Sequence, residues 1–403
     1  MAISVRPAAD QAEFRQGLGA IGHFFGWEPS EEDAERFSKL LPVERMLVAT
    51  DGKAIVAASG AFPFEMTVPG GTVPTAGVTV VGVLPTHRRR GILTAMMRRQ
   101  LDDTRAGNEP LAALWASEPT IYGRFGYGLA SFCGEIDMPR ERAAFAGGAS
   151  GTRSEVRIVT AEEALESFPA LYDAVRAERP GMMSRTRDWW EHRRLRTQTH
   201  ESGGPLACAL LELEGAPAGY ALYRVSQKFD TVGTVGHISV LEALGTSPDA
   251  TREIWRYLFE FDWTSRIMAG RLPIDHELLL LAADPSRLKF IVTDALWVRL
   301  VDLPAALGAR SYAGDDPIVF DISDPFLPDN AGRWRLAGGR AERTDEDPDV
   351  RLDVNALGST YLGGISFTAL LRAGRIEELH EGTAARADAL FRADRAPWCP
   401  EIF

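Results

Sequence analysis

Cysteine is scarce in this 403-residue chain. Cys133, Cys208 and Cys399 are too few and too scattered for a disulfide framework or a metal knot, so reduced thiols are expected. An excess of basic residues is missing too: 44 Lys and Arg stand against 56 Asp and Glu, a net charge of −12, which argues against nucleic-acid binding. No apolar run approaches the ~20 residues of a membrane span, so no membrane association is expected. The start, Met1-Ala2-Ile3-Ser4-Val5-Arg6, lacks the basic-then-apolar pattern of a secretory signal, and the cytoplasm is the expected compartment. His23, His192, His200, His237, His276 and His380 show no ligand spacing such as H-x-x-x-H, so no metal is expected. What is present is an ordinary globular composition, 25% charged and 45% hydrophobic, at a length that one core seldom supports and that implies two or three domains. The acidic surface suits cationic substrates, although solubility alone accounts for it.

The most informative stretch is Val80-Val81-Gly82-Val83-Leu84-Pro85-Thr86-His87-Arg88-Arg89-Arg90-Gly91-Ile92-Leu93, a β-rich run that stops at Pro85 and restarts as a basic turn opening a helix. Arg88-x-x-Gly91 puts backbone N–H groups and guanidinium charge at a helix N-terminus, where dipole and orphan donors favour an anion. It reads as a pyrophosphate cradle for an acyl-coenzyme A; in isolation it equally fits a surface turn with solvated arginines. His87 borders or caps this turn rather than serving as a base.

Around it, residues 1–150 alternate helical and strand patterns. An amphipathic segment covers Ala9–Leu18, strands cover Met46–Thr50, Ile55–Pro63 and Thr75–Val83, and the helix Ile92–Arg105 sets Ile92, Met96, Met97 and Leu101 on one face before strand Leu111–Ala116. This βαβ order surrounds the anion site. The Ala/Gly stretch Ala143–Thr152 reads as a linker to a second unit, 151–293, with hairpin Ala207–Glu212 and Ala218–Val225, strand Gly236–Ala243 and helix Thr251–Trp263. Its turn Leu244-Gly245-Thr246-Ser247-Pro248-Asp249 has no arginine and offers a phosphate little. Residues 294–403 read as a small α+β module, with strands at Leu296–Leu300, Val319–Ile322, Arg333–Leu336 and Val350–Asp353 and helices at Asn355–Tyr361 and Phe367–Ala373.

The Arg88–Leu93 spacing resembles the R/Q-x-x-G-x-G/A signature of the GNAT acetyltransferase superfamily, with Leu93 where the second Gly or Ala falls. Further strings resemble the enhanced intracellular survival (Eis) family of GNAT N-acetyltransferases: Ala116-Ser117-Glu118, Ile121-Tyr122-Gly123-Arg124-Phe125-Gly126-Tyr127-Gly128, Tyr220-Ala221-Leu222-Tyr223-Arg224-Val225, Leu296-Trp297-Val298-Arg299 with Pro304-Ala305-Ala306-Leu307, and Leu357-Gly358-Ser359-Thr360-Tyr361-Leu362-Gly363. The resemblance spans the chain. It implies an α/β (α+β) protein of two tandem GNAT folds, 1–150 binding acetyl-CoA and 151–293 degenerate, followed by a sterol-carrier-like domain, 294–403, whose tail enters the active site. It implies a homohexamer and acetyl transfer to amines of aminoglycosides, with lysine side chains or peptides as acceptors in some members; an acetyltransferase of protein lysines or polyamines stands as an alternative. Val81 and Val83, with Gly82 between them, correspond to the strand that pairs with pantetheine, and Arg89, Arg90, Gly91, Ile92, Leu93 and Thr94 to the cradle. Ser117 and Glu118 correspond to contacts on the cofactor's other edge, Tyr122 to the general acid, and the carboxylate of Phe403 to the general base.

The chemistry fits these groups. An ammonium must lose its proton to a base, and a terminal carboxyl, with an ordinary pKa of about 3.5, is ionised at neutral pH. The leaving thiolate needs a proton, which a phenol can donate; by position Tyr122 and Tyr127 are both candidates, and the resemblance selects Tyr122. A strand N–H of Val80 or Val81 would polarise the thioester carbonyl. Ala396-Pro397-Trp398-Cys399-Pro400-Glu401-Ile402 is apolar and proline-stiffened, as a docking tail would be. On the acceptor side Glu401 adds an acid beside the base. Phe24, Phe25 and Trp27 line an aromatic pocket or are buried in the first core, and His23-Phe24-Phe25-Gly26-Trp27 lacks the aspartate of aminoglycoside-modifying relatives. Two non-catalytic alternatives are an acyl-CoA sensor and a lipid- or ligand-binding protein.

Overall fold

The computed structural model describes residues 3–146, 151–196, 203–227, 229–231 and 233–403; His200 and part of the Ala143–Thr152 stretch lie outside them. Two compact units make up the chain, one of Met1–Ser131, Ala295–Pro397 and Glu401–Phe403, the other of Phe132–Asp294 and Trp398–Pro400.

The first unit carries a seven-stranded sheet. β1 (Ser4–Pro7), β2 (Met46–Asp51), β3 (Ala54–Val68) and β4 (Gly71–Val83) are antiparallel neighbours; β5 (Leu111–Trp115) lies parallel to β4, and Leu296–Leu300 and Gly128–Leu129 complete the sheet. Helix α1 (Gln11–Phe25) starts where the Asp10 side chain accepts from Glu13 N and runs past the expected Leu18 until Gly26, at φ 64°, ends it. Helix α2 (Glu31–Ser38) opens on a Ser30/Asp33 capping box. Helix α3 (Ile92–Ala106) joins β4 to β5 and buries Ile92, Met96, Met97 and Leu101, the face its 3.6-residue spacing predicts.

The same unit holds a five-stranded sheet in the order Arg340–Arg343, Gly332–Ala337, Ile318–Ser323, Val350–Asp353, Ile376–Glu378. Phe320 stacks on Phe367 at 5.8 Å and Phe391 meets both edge-on, so aromatic rings fill the interior of this module.

The second unit has its own seven-stranded sheet, in the order Ile291–Asp294, Phe132–Pro139, Arg266–Leu272, His237–Gly245, Ala216–Ser226, Leu206–Leu213, Ser154–Val159. Two strands fall elsewhere than the boundaries at 150 and 293 would put them. Phe132–Pro139 pairs with Arg266–Leu272 and Ile291–Asp294 in this sheet, and Leu296–Leu300, read as the start of the C-terminal module, pairs with β5 in the first. Long-range packing selects a strand's partner, and a local window carries no trace of it. The helix expected over Thr251–Trp263 is Pro248–Phe259: Ser247 caps it by accepting from Ala250 N, and Trp263 stands outside it, 72% exposed at φ 61°.

Inside this unit Glu242 is clasped by Arg185 at 2.6 Å and Arg194 at 3.0 Å and accepts from the Tyr220 hydroxyl at 2.5 Å. Burial opposes its charge, but the two guanidiniums hold its pKa down at about 2. Because this lies below the unfolded value of ~4.3, the cluster stabilises the fold above about pH 4 and loses that contribution as pH falls toward 2. Glu242→Gln is expected to cost about 3 kcal/mol at pH 7, with the difference from wild type shrinking on acidification. Denaturant unfolding at both pH values checks this; equal midpoints at pH 7 would reject it.

Candidate active site

In the first unit β4 carries a bulge. Its register with β3 slips between Ala58 and Gly60, so Val80 and Val81 face Ser59 alone, and Val80 adopts φ 56°. A β-branched residue there costs about 1–3 kcal/mol, a strain that concentrates at functional sites. β4 pairs with β5 from Thr75–Leu111 to Gly77–Ala113, and beyond Gly77 no further pair joins the two among the described residues. The strands part into a fork, leaving Val78–Val83 with one edge available to an extended ligand.

The fork leads into the basic turn. After the 3₁₀ turn Pro85–His87, Arg89 at φ 61° and Gly91 at φ 77° bend the chain into α3, whose N-cap Gly91 supplies no side-chain acceptor for its first N–H groups. An anion can therefore take those donors. Arg89 is exposed, Arg88 lies 4.8 Å over the Phe24 ring, and Arg90 and His87 Nε2 both sit 3.4 Å from Asp51 Oδ2. The Leu93 side chain packs on the cluster holding Met97, Leu101 and Tyr122, so this departure from the signature turns inward. The turn at Ser247, by contrast, donates its amide to its own serine.

Tyr122 ends the short helix Pro119–Tyr122 that follows β5. It is 8% exposed, and burial pushes its pKa up to about 12. Tyr127 is wholly buried, edge-on to Tyr122 at 6.0 Å, and burial raises its pKa further; its hydroxyl has no hydrogen-bond partner among the described residues. Of the two phenols, only Tyr122 keeps access to the surface.

The last residue lies at the mouth of the fork. The Phe403 ring packs against Phe64 at 5.1 Å and Phe62 at 6.5 Å, both on β3, and a Cβ on Gly77 would come within 3.3 Å of it. Gly77 is the last β4 residue paired with β5, so the Phe403 ring is buried where the two strands begin to part.

Ser117 and Glu118 follow β5 and are exposed. Phe24 is 38%, Phe25 69% and Trp27 39% exposed, which overturns burial in the first core: the rings stand at the last turn of α1 and just past its cap, Gly26. Glu401 is 1% exposed. Asp188, Glu191 and His192 gather on one stretch of helix, but Glu191 is paired with Arg187 at 2.9 Å and His192 lies beside Asp188.

Residues outside the sequence motifs hold this geometry. Asn355 Nδ2 donates to the carbonyls of Gly123 and Tyr127, at 2.5 and 3.0 Å, bracing the turn after Tyr122. A Cβ on Gly126 would meet the Arg299 guanidinium at 2.5 Å, and Arg299 pairs with Asp324 at 2.7 Å with both side chains at zero exposure. The glycines of the 121–128 string signal a close approach; nothing local names its partners.

Parallel strands parting beside an uncapped helix N-terminus are the GNAT acyltransferase arrangement. Residues 4–130 and 181–300 each match the Acetyltransferase (GNAT) domain, and 303–400 the Sterol carrier protein domain. An uncharacterized N-acetyltransferase of Streptomyces coelicolor is 42% identical, with 97% of each chain covered. N-acetyltransferase Eis of Mycobacterium tuberculosis is 36% identical over 87% of this chain and 89% of its own. The crystal structure of Eis1 from Mycobacterium abscessus has a TM-score of 0.86 at 34% identity, covering 99% of this chain and all of that one. The chain belongs to the Eis family of GNAT N-acetyltransferases, an enzyme with two GNAT domains, a sterol-carrier-like C-terminal domain and acetyl-CoA as cosubstrate. No described helix is long and apolar enough to cross a membrane.

Proposed function

We propose that this enzyme transfers acetyl from acetyl-CoA directly to an amine of a cationic acceptor such as an aminoglycoside, with the Phe403 carboxylate as general base and Tyr122 as general acid. The carboxylate takes a proton from the acceptor's ammonium, and the neutral amine attacks the thioester carbonyl. The C–N bond forms, the C–S bond breaks, the phenol supplies the departing sulfur with a proton, and the second proton shed by the new amide nitrogen restores the phenol. The N–H of Val80 or Val81 stabilises the developing oxyanion. Val81, Gly82 and Val83 hold the pantetheine arm, Arg89 to Thr94 the pyrophosphate, and Ser117 and Glu118 the opposite edge. Phe24, Trp27 and Glu401 shape the acceptor side. The observation that carries this reading is the burial of Phe403 beside Gly77, where the strands part.

Thiol release from acetyl-CoA in the presence of aminoglycosides, polyamines and lysine peptides tests it. Release with one of these amines is expected; silence across the panel, with acetyl-CoA still bound, would reject it. Tyr122→Phe should lower kcat about 10²-fold with little change in acetyl-CoA affinity. With its pKa near 12 the phenol stays protonated through neutral pH, so wild-type kcat should show no alkaline fall below about pH 11. Replacing Arg89 and Arg90 together by Ala should mainly raise the KM for acetyl-CoA, about tenfold.

A further inference from the structure

The second unit has a fork of its own. Strand His237–Gly245 runs parallel to Arg266–Leu272 and pairs with it from His237–Arg266 to Val240–Ala269, after which the strands continue without further pairs among the described residues. As in the first unit, a bulge lies where they part: the register with Ala216–Ser226 slips between Leu222 and Tyr223, opposite Leu241. In the first unit the corresponding opening lies beside the cradle.

Here the chain itself fills it. The Trp398 indole N–H donates at 2.5 Å to the carbonyl of Arg271, two residues past the last pair, and Arg271 Nε donates at 3.2 Å to the carbonyl of Pro400. Arg271 adopts φ 55°, which departs from the strand conformation at that point. The Trp398 ring joins the buried cluster of Leu222, Leu244 and Tyr220, which covers the other prong. A third bond runs from Trp398 N to Pro180 O at 2.8 Å, and Gly181, at φ 93°, lets the Trp398 backbone approach to where a Cβ would stand 3.0 Å from its carbonyl. Trp398 is 5% exposed and Cys399 fully buried.

We propose that the fork of the second GNAT domain is a docking cleft for the chain's own segment Trp398-Cys399-Pro400, and that Trp398 is the positioning residue for the terminal carboxylate. The fork that accepts a pantetheine arm in a working GNAT domain thus accepts a peptide of the same chain, which explains why its helix start can be capped by Ser247. The catalytic consequence rests on Phe403 being the base; the docking does not. Phe403 lies five residues after Trp398, so freeing the indole loosens the segment that carries Phe403, and a small misplacement of a catalytic group carries a large rate loss.

Carboxypeptidase digestion followed by mass spectrometry, beside steady-state kinetics of thiol release, tests this on the full chain. Trp398→Ala is expected to release Phe403 and Ile402 at least about tenfold faster than wild type and to lower kcat about tenfold or more, with the KM for acetyl-CoA within about twofold. Trp398→Phe, which keeps an aromatic ring and loses the donor, should fall between. If Trp398→Ala does not fold, Arg271→Met, which removes the bond to Pro400, must show the same direction of change. Unchanged tail release in the folded variants would overturn the docking. Faster release with unchanged kcat would overturn the positioning role, and if deletion of Phe403 also left kcat unchanged, the fault would lie with the assignment of the base.

Discussion

Deleting Phe403, or extending the chain past it with a C-terminal tag, is expected to lower kcat by about 10²- to 10⁴-fold while leaving acetyl-CoA affinity close to wild type. The two variants act differently. Deletion moves the carboxylate to Ile402 and removes the ring that packs on Phe62 and Phe64; extension keeps that ring and converts the carboxylate to an amide that cannot accept a proton. The base acts on the acceptor amine, and the expected cofactor contacts are along Val81–Thr94 and at Ser117 and Glu118, so the loss should fall on kcat and not on the acetyl-CoA dissociation constant. Partial rescue of the deletion by added small carboxylates would strengthen the assignment. Full turnover by a cleanly tagged enzyme would assign the proton to another group.

Asp324→Ala is expected to destabilise the first unit by about 3–5 kcal/mol, because it leaves a buried guanidinium with no counter-charge. Both Asp324 oxygens accept from Arg299 Nη2, at 2.9 and 2.7 Å, and they also accept from Leu327 N and Asn330 Nδ2. Arg299 Nε and Nη1 have no hydrogen-bond partner among the described residues, and burial weakens the guanidinium's hold on its proton. Removing the carboxylate thus exposes a cost that is now only partly offset. The double variant Arg299→Met with Asp324→Ala should recover most of the loss, as replacing a whole buried pair often does. Denaturant unfolding of the four proteins of this cycle decides the point: additive losses would mean that the pair does not act as one. Since Gly126 rests against this guanidinium, the single variant should also disturb the turn after Tyr122 and lower kcat.

Much of the site is legible in the residue pattern alone. The turn Arg88–Gly91, the helix face Ile92, Met96, Met97 and Leu101, and the parallel strands on either side are local patterns, written in residue spacing and backbone preference. The Eis-like strings identify the family in the same way, and the lack of an arginine in the second turn speaks against a phosphate there. The exposed aromatics Phe24, Phe25 and Trp27 resist such reading, because an apolar residue at a helix end has the same spacing whether it faces the core or solvent.

By itself, then, the sequence determined the family, the order of the domains and the chemistry-bearing turn, since each depends on contiguous residues and short-range sterics. Only the tertiary structure decided which sheet Phe132–Pro139 and Leu296–Leu300 join, that Asn355 and the Arg299–Asp324 pair back the turn after Tyr122, that Trp398 bonds to Arg271, and that the Phe403 ring reaches Gly77. Each of these pairings links residues far apart along the chain, and their free energy comes from burial and desolvation, which exist only once the chain has closed around them.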